Sequence, residues 1–387
     1  MILQGKMPAS VELVNIEVEG ESIIRVEPSR GETVPDYGGP GSFVCPGFFD
    51  PQVNGFGGVD FNGKELTRES LRRAALALAS SGVTAFLPTL TTAAPGKTIA
   101  RLRVLCRAME EDPLWRRMAI GIHLEGPYIS PEEGFRGAHP PEYIRPPRWE
   151  EFEQFQEGAE GKIRLLTLAP ETEGAIPFIE KAAGTGVVIG LAHTNASEEI
   201  LEDAYRAGAR LSCHLGNGAH LFLPRHRNPI QKQLAMDGLM ASLIVDGVHL
   251  PDYVVQNFVR AKGAGRVLLS TDSMAGAGAS PGRYTIGEVE VEIKEGDGSA
   301  RLPGTPYLAG STLTMDRAVT NVIRFAHIPL EVALQMAGKN GERLFPEAGW
   351  EIQPGNPANF VLFDYREELA IQGVWVHGEK VFARQLN

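Results

Sequence analysis

The sequence predicts an α/β protein, a (β/α)8 TIM barrel with a small β-sandwich domain formed from both termini. Three observations carry that expectation. Eight apolar strand-like segments recur at about 43–53, 82–90, 118–126, 163–170, 186–193, 209–215, 240–247 and 266–272, most of them separated by helical stretches. The two ends of the chain are instead rich in short alternating strands. Four of the eight segments also finish on a polar residue, Glu125, His193, His214 or Asp272, where a barrel of this class builds its active site.

The N-terminal pieces Val11-Glu12-Leu13-Val14 and Ser22-Ile23-Ile24-Arg25-Val26 are punctuated by Gly20 and Pro28. Ala358–Phe363 and Gly373–Phe382 have the same character. Residues 1–45 and 345–387 are therefore expected to form the β-domain, and 46–344 the barrel. Within the barrel, Thr67 is a natural N-cap, with Leu71, Ala74, Ala75 and Leu78 on one helical face and Gly82 at the stop. Ser197 caps another helix, Glu198 and Glu199 suit its positive end, and Gly208 closes it. A Gly-rich excursion follows Asp272, with an inserted hairpin near 284–310. A loop of that length at a catalytic rim is commonly functional.

Composition narrows the function. With 387 residues the chain can bury a large core, and 43% hydrophobic with 22% charged residues is ordinary for a globular protein. A net charge of −11 argues against a nucleic-acid partner. No apolar run approaches the roughly 18 residues that would span a membrane, and the first residues lack the apolar core of a secretory signal. Cys45, Cys106 and Cys213 are far apart, odd in number and without metal-ligand spacing, which fits reduced thiols and a cytoplasmic location. Strand alternation turns Cys213 away from the side His214 faces, as a small core residue.

Glu125, His193 and His214 offer one carboxylate and two imidazoles, the donor set of a catalytic divalent-metal site with a position left open. Each comes from a different strand, so the warrant is the shared strand-end position. Asp272, on the eighth strand, is then the expected general base for the attacking water.

Several stretches resemble the N-acetylglucosamine-6-phosphate deacetylase family of the amidohydrolase superfamily: Pro46-Gly47-Phe48-Phe49-Asp50, Gly121-Ile122-His123-Leu124-Glu125-Gly126-Pro127, Leu191-Ala192-His193-Thr194-Asn195-Ala196, Ser270-Thr271-Asp272 and Gly310-Ser311-Thr312-Leu313-Thr314-Met315. The resemblance implies metal-dependent hydrolysis of the acetamide of N-acetylglucosamine 6-phosphate, giving glucosamine 6-phosphate and acetate. It implies Glu125, His193 and His214 as metal ligands, Asp272 as the proton carrier and His139 as the group that polarises the amide carbonyl. Ala138, Asn217, Gly218, His249 and the turn Leu308, Ala309, Gly310, Ser311 would hold the sugar. The family's habit implies a homodimer whose loop arginine reaches the neighbour's substrate phosphate.

The chain departs from the pattern twice. Most amidohydrolases carry His-x-His after the first strand, whereas this chain reads Gln52-Val53-Asn54. Amides are poor ligands, so one divalent metal ion per chain is expected, Zn2+ first and Fe2+ or another divalent ion as alternatives. After His214 the loop runs through Leu221-Phe222-Leu223-Pro224-Arg225-His226-Arg227, bulkier than the family's, and offers Arg227 or Arg225 for the phosphate. The alternative within the superfamily is another N-acyl substrate, an unphosphorylated N-acetylhexosamine or an N-acyl amino acid. A catalytically inactive sugar-binding protein is the alternative from another class, disfavoured by the intact Glu125, His193, His214 and Asp272.

Overall fold

The computed structural model describes residues 1–31, 33–295, 298–305 and 307–384. Eight parallel strands follow one another in sequence order around one sheet: Phe48–Val53, Val83–Thr91, Ile122–Glu125, Ile163–Leu168, Val188–Leu191, Ala209–Ser212, Met240–Leu243 and Val267–Leu269. The first and last meet at a seam. Val53 bridges Ser273, and the Asn54 N–H donates to the Ser273 carbonyl at 2.8 Å. The Asp50 carboxylate also accepts from the Thr271 amide at 3.2 Å and from its hydroxyl. Burial pushes the Asp50 carboxyl up to about 7, against the pull of those Thr271 bonds.

The capping signals in the sequence act where they were read. Thr67 Oγ1 accepts from the Ser70 amide at 3.1 Å in a reciprocal capping box, starting the helix Arg68–Ala79. That helix buries Leu71, Ala74, Ala75 and Leu78 against the barrel. Ser197 caps Glu198–Ala207, and Gly208 ends it at φ 124°. The apolar stretch from Met118 divides, however. Asp112 caps a short helix, Pro113–Met118, with Pro113 at its first position, and the strand proper begins only at Ile122. Three strands also stop short of their functional residue. His193, His214 and Asp272 have φ of 50°, 31° and 47°, left-handed values that take each residue out of the ladder.

Both chain ends meet in a second sheet of seven strands. Its order is Glu379–Ala383, Leu369–Val376, Phe360–Tyr365, Tyr37–Pro46, Ile2–Lys6, Leu13–Glu19 and Ser22–Pro28. Only Ile2–Lys6 with Tyr37–Pro46 is parallel. The sheet curls over one core, so that Leu3, Ile16 and Val44 pack with Phe360 and Trp375. After the eighth barrel strand come four antiparallel strands, Gly282–Ile286, Val289–Ile293, Ser299–Arg301 and Leu308–Ser311. Their Val291 and Ala309 pack with Met274 and Ala275, and Ile286–Val289 and Leu308–Gly310 line the cavity at the C-terminal rim. Residues 296, 297 and 306 of the expected hairpin lie outside the described residues.

Candidate active site

A cavity of about 260 Å³ opens at the C-terminal rim of the barrel. Glu125 closes the third strand, whereas His193 and His214 stand just beyond the fifth and sixth. Their donor atoms lie within 4.8 Å of one another, the only such group of three among the described residues. Both imidazole Nε2 atoms converge on one oxygen, Glu125 Oε1, at 3.3 Å from His193 and 2.9 Å from His214.

This cluster fits a divalent cation on its own geometry. His193 Nδ1 lies 2.8 Å from the Phe135 carbonyl, which can only accept, so Nδ1 carries the proton. Nε2 is thus the ring atom turned to the Glu125 carboxylate, and the one placed to serve as a ligand. Burial works to raise the Glu125 carboxyl, yet the His193 and His214 bonds together hold it well below the ordinary range. Burial opposes charge on His214, but Glu125 and Asp272 still raise its affinity for a proton. Gly137 and Gly218 close on His193 from its flanks. A Cβ would stand 3.0 Å from Cε1 at Gly137 and 2.7 Å from Nδ1 at Gly218, and both glycines have positive φ.

Asp272 belongs to the same cavity. Burial, and next the Glu125 charge, push its carboxyl up to about 6, while His214, His249 and the Asn54 bond pull the other way. Gln52 Nε2 donates to Glu125 Oε1 at 3.0 Å and to Asp272 Oδ1 at 2.9 Å, and Asn54 Nδ2 donates to Asp272 Oδ1 at 2.7 Å. The two amides thus present N–H donors, not lone pairs, to the two carboxylates. Asn54 Oδ1 is buried without a partner among the described residues.

His139 sits edge-on to His193, ring centroids 4.6 Å apart. Burial pushes its pKa down to about 3, so it is a neutral imidazole, with Nδ1 2.8 Å from Thr92 Oγ1. His249 also lines the cavity. Its Nδ1 lies 2.6 Å from Asp246 Oδ2, and Asp246 Oδ1 accepts from the amides of Val248 and His249.

Of the other expected residues, Ala138, Asn217, Gly218, Leu308, Ala309 and Gly310 all line the cavity. Ser311 stands behind it, donating to the Thr271 carbonyl, and so supports the turn that carries Asp272. Arg225 and Arg227 are exposed and are absent from the cavity wall. The Arg227 side chain is 91% exposed, with Glu198 3.9 Å away. Sequence reasoning missed the groups that hold the site: Thr92 on His139, the Phe135 carbonyl on His193 and Asp246 on His249. Asp246-Gly247-Val248-His249 carried a legible signal for one of these, since a carboxylate three residues before a histidine readily orients it. It also missed Arg101, which lines the cavity from the middle of a helix.

Two imidazoles, a carboxylate and a buried aspartate at a barrel's C-terminal rim define a metal-dependent hydrolase. The amidohydrolase family model matches residues 43–381. An N-acetylglucosamine-6-phosphate deacetylase of Vibrio furnissii is 31% identical over 386 residues, covering 98% of this chain and 93% of that protein. An N-acetylgalactosamine-6-phosphate deacetylase of Escherichia coli O157:H7 is 32% identical over 340 residues, 87% of each chain. The solved structure of a Mycobacterium smegmatis N-acetyl-D-glucosamine-6-phosphate deacetylase mutant with N-acetyl-D-glucosamine-6-phosphate superposes with a TM-score of 0.89 at 29% identity. It covers 98% of this chain and 99% of that one. The chain belongs to the amidohydrolase family, and within it to the N-acetylglucosamine-6-phosphate deacetylases.

Proposed function

We propose that the protein hydrolyses the acetamide of N-acetylglucosamine 6-phosphate, releasing acetate and glucosamine 6-phosphate. The observation that carries this reading is the convergence of Glu125, His193 and His214 on one point beside a buried Asp272, in a chain whose relatives bear that activity in their names. The three ligands suit a single divalent ion, Zn2+ by donor type and Fe2+ next, which when bound polarises the amide carbonyl and eases deprotonation of water.

The chain's own residues perform the remaining steps. Asp272 Oδ1 is taken by the Gln52 and Asn54 amides, which leaves Oδ2 to receive a proton from the attacking water. In the tautomer in which Thr92 Oγ1 donates to Nδ1, the His139 proton lies on Nε2, where it serves the developing oxyanion. Asp272 then passes its proton to the departing amine nitrogen. The protonated Asp272 is matched to that task by the burial that lifts its pKa. His249, fixed by Asp246, and the backbone of Ala138, Asn217, Gly218 and Leu308–Gly310 hold the sugar.

Exposed Leu221 (72%) and Phe222 (84%), on the loop of Arg225 and Arg227, support a homodimer in which that loop reaches a neighbour. Three unpaired, buried cysteines support the cytoplasm as the site of the reaction, and no helix of the described residues is long and apolar enough to cross a membrane. The 32% identical galactosamine relative favours a second reading in which the C4 epimer is the substrate. An amine-release assay on both 6-phosphates, free N-acetylglucosamine and an N-acetyl amino acid tests the proposal. Turnover confined to an unphosphorylated compound would sink it.

A further inference from the structure

A phosphate dianion needs a fixed cation with hydrogen-bond donors to spare, preferably a guanidinium. Arg225 and Arg227 do not supply one to their own chain's cavity. Among the described residues that line the cavity, one alone is a lysine or arginine, and it is Arg101. It projects from the helix Pro95–Glu111 at a position whose helical neighbours Thr98, Leu102 and Leu105 are buried. Only 8% of Arg101 is exposed. Its guanidinium makes no hydrogen bond and no ion pair within 4 Å among the described residues. No nitrogen of the guanidinium is among the buried polar atoms without a partner, so its N–H donors face the open cavity, where a ligand can meet them.

The simplest structural account of Arg101 is charge balance with two nearby carboxylates, Asp60 and Glu288, whose fields it feels. Both are already engaged. Asp60 accepts from the Asn62 amide at 2.8 Å, the Thr285 hydroxyl at 2.9 Å and the Gly287 amide at 2.8 Å. Glu288 is paired with Lys97. These bonds also pin the tip of the inserted hairpin at Gly287 over the cavity, on the side where Arg101 stands. The carboxylates therefore temper the charge without occupying its donors.

We propose that Arg101 is a specificity-determining residue that hydrogen-bonds the phosphate of the substrate from within the same chain. The inference rests on the phosphorylated substrate of the reading above. The phosphate is held in cis, whatever a neighbouring copy adds, and the enzyme discriminates the 6-phosphate from the free sugar chiefly through this guanidinium.

The test uses the metal-loaded protein, with R101M, R101K and R227A variants, N-acetylglucosamine 6-phosphate against N-acetylglucosamine in turnover, and glucosamine 6-phosphate against glucosamine in calorimetric binding. R101M should raise KM for the phosphate ester about 10–100-fold, the range for a lost charge-assisted bond. Its kcat and its KM for the free sugar should stay within about two-fold, because the contact is equal in ground and transition states. R101K should recover part of the loss, and its unchanged melting temperature would separate binding from folding. Equal KM increases for both sugars would overturn the proposal by making Arg101 a hydroxyl contact. An effect of R227A with none of R101M would overturn it in favour of a second copy. If the wild type releases no amine yet binds glucosamine 6-phosphate in an Arg101-dependent way, the proposed reaction fails while the anion site stands. Equal binding by wild type and R101M would remove the site itself.

Discussion

Asn54 Nδ2 lies 2.7 Å from Asp272 Oδ1, joining residues 218 positions apart across the seam of the barrel. This contact orients the proposed base, and it adds a small pull on acidity to the larger effects of burial, Glu125, His214 and His249.

Asp272→Asn keeps the shape and removes the base. Its kcat should fall by roughly 10²–10⁴, with metal content unchanged. Near-normal kcat in that variant would move the proton-transfer role to another group.

The same carboxylate sets the acid limb of activity. A base works ionised, so kcat/KM should decline as pH falls through the Asp272 pKa, about 6 before a cation is added and lower once one is bound. Asn54→Ala removes a group that lowers this pKa, and its acid limb should shift to higher pH. A limb that stays put in pH–rate profiles of the variant would separate Asn54 from the base.

Metal content should be about one tight divalent equivalent per chain, because one three-ligand group is present among the described residues and Gln52 and Asn54 present N–H groups to Glu125 and Asp272. Elemental analysis finding two tight equivalents would contradict this. His193→Ala or His214→Ala should lose metal and activity together while the circular dichroism of the barrel persists.

Gly218→Ala would place a methyl 2.7 Å from His193 Nδ1 at a φ of 59° that a side chain resists. Metal affinity should drop about 10–100-fold, as for other losses of ligand orientation. Chelator competition measures it, and wild-type affinity would show that the ring can yield.

Periodicity made the barrel legible, since most strands lie in apolar runs and the caps at Thr67 and Ser197 are local chemistry. Strand limits were less so. The stretch at Met118 is continuous in hydropathy but is cut by the Asp112-Pro113 cap, and the left-handed turns at His193, His214 and Asp272 leave no mark in residue type. Glu125, His193, His214 and Asp272 were readable because all four finish apolar runs. Arg101 was not, because a cation in mid-helix looks like any solvated residue until the hairpin at Gly287 is folded over it.

The seam has a consequence for how competence is acquired. The three ligands come from the third, fifth and sixth strands, whereas Gln52, Asn54 and Asp272 come together only when the first strand meets the eighth. Metal capture and catalytic readiness are thus separable events. A barrel opened between Asp50 and Thr271 would keep its three ligands and lose the partners of Asp272, so returning activity should report closure of the whole ring, and returning metal only its middle.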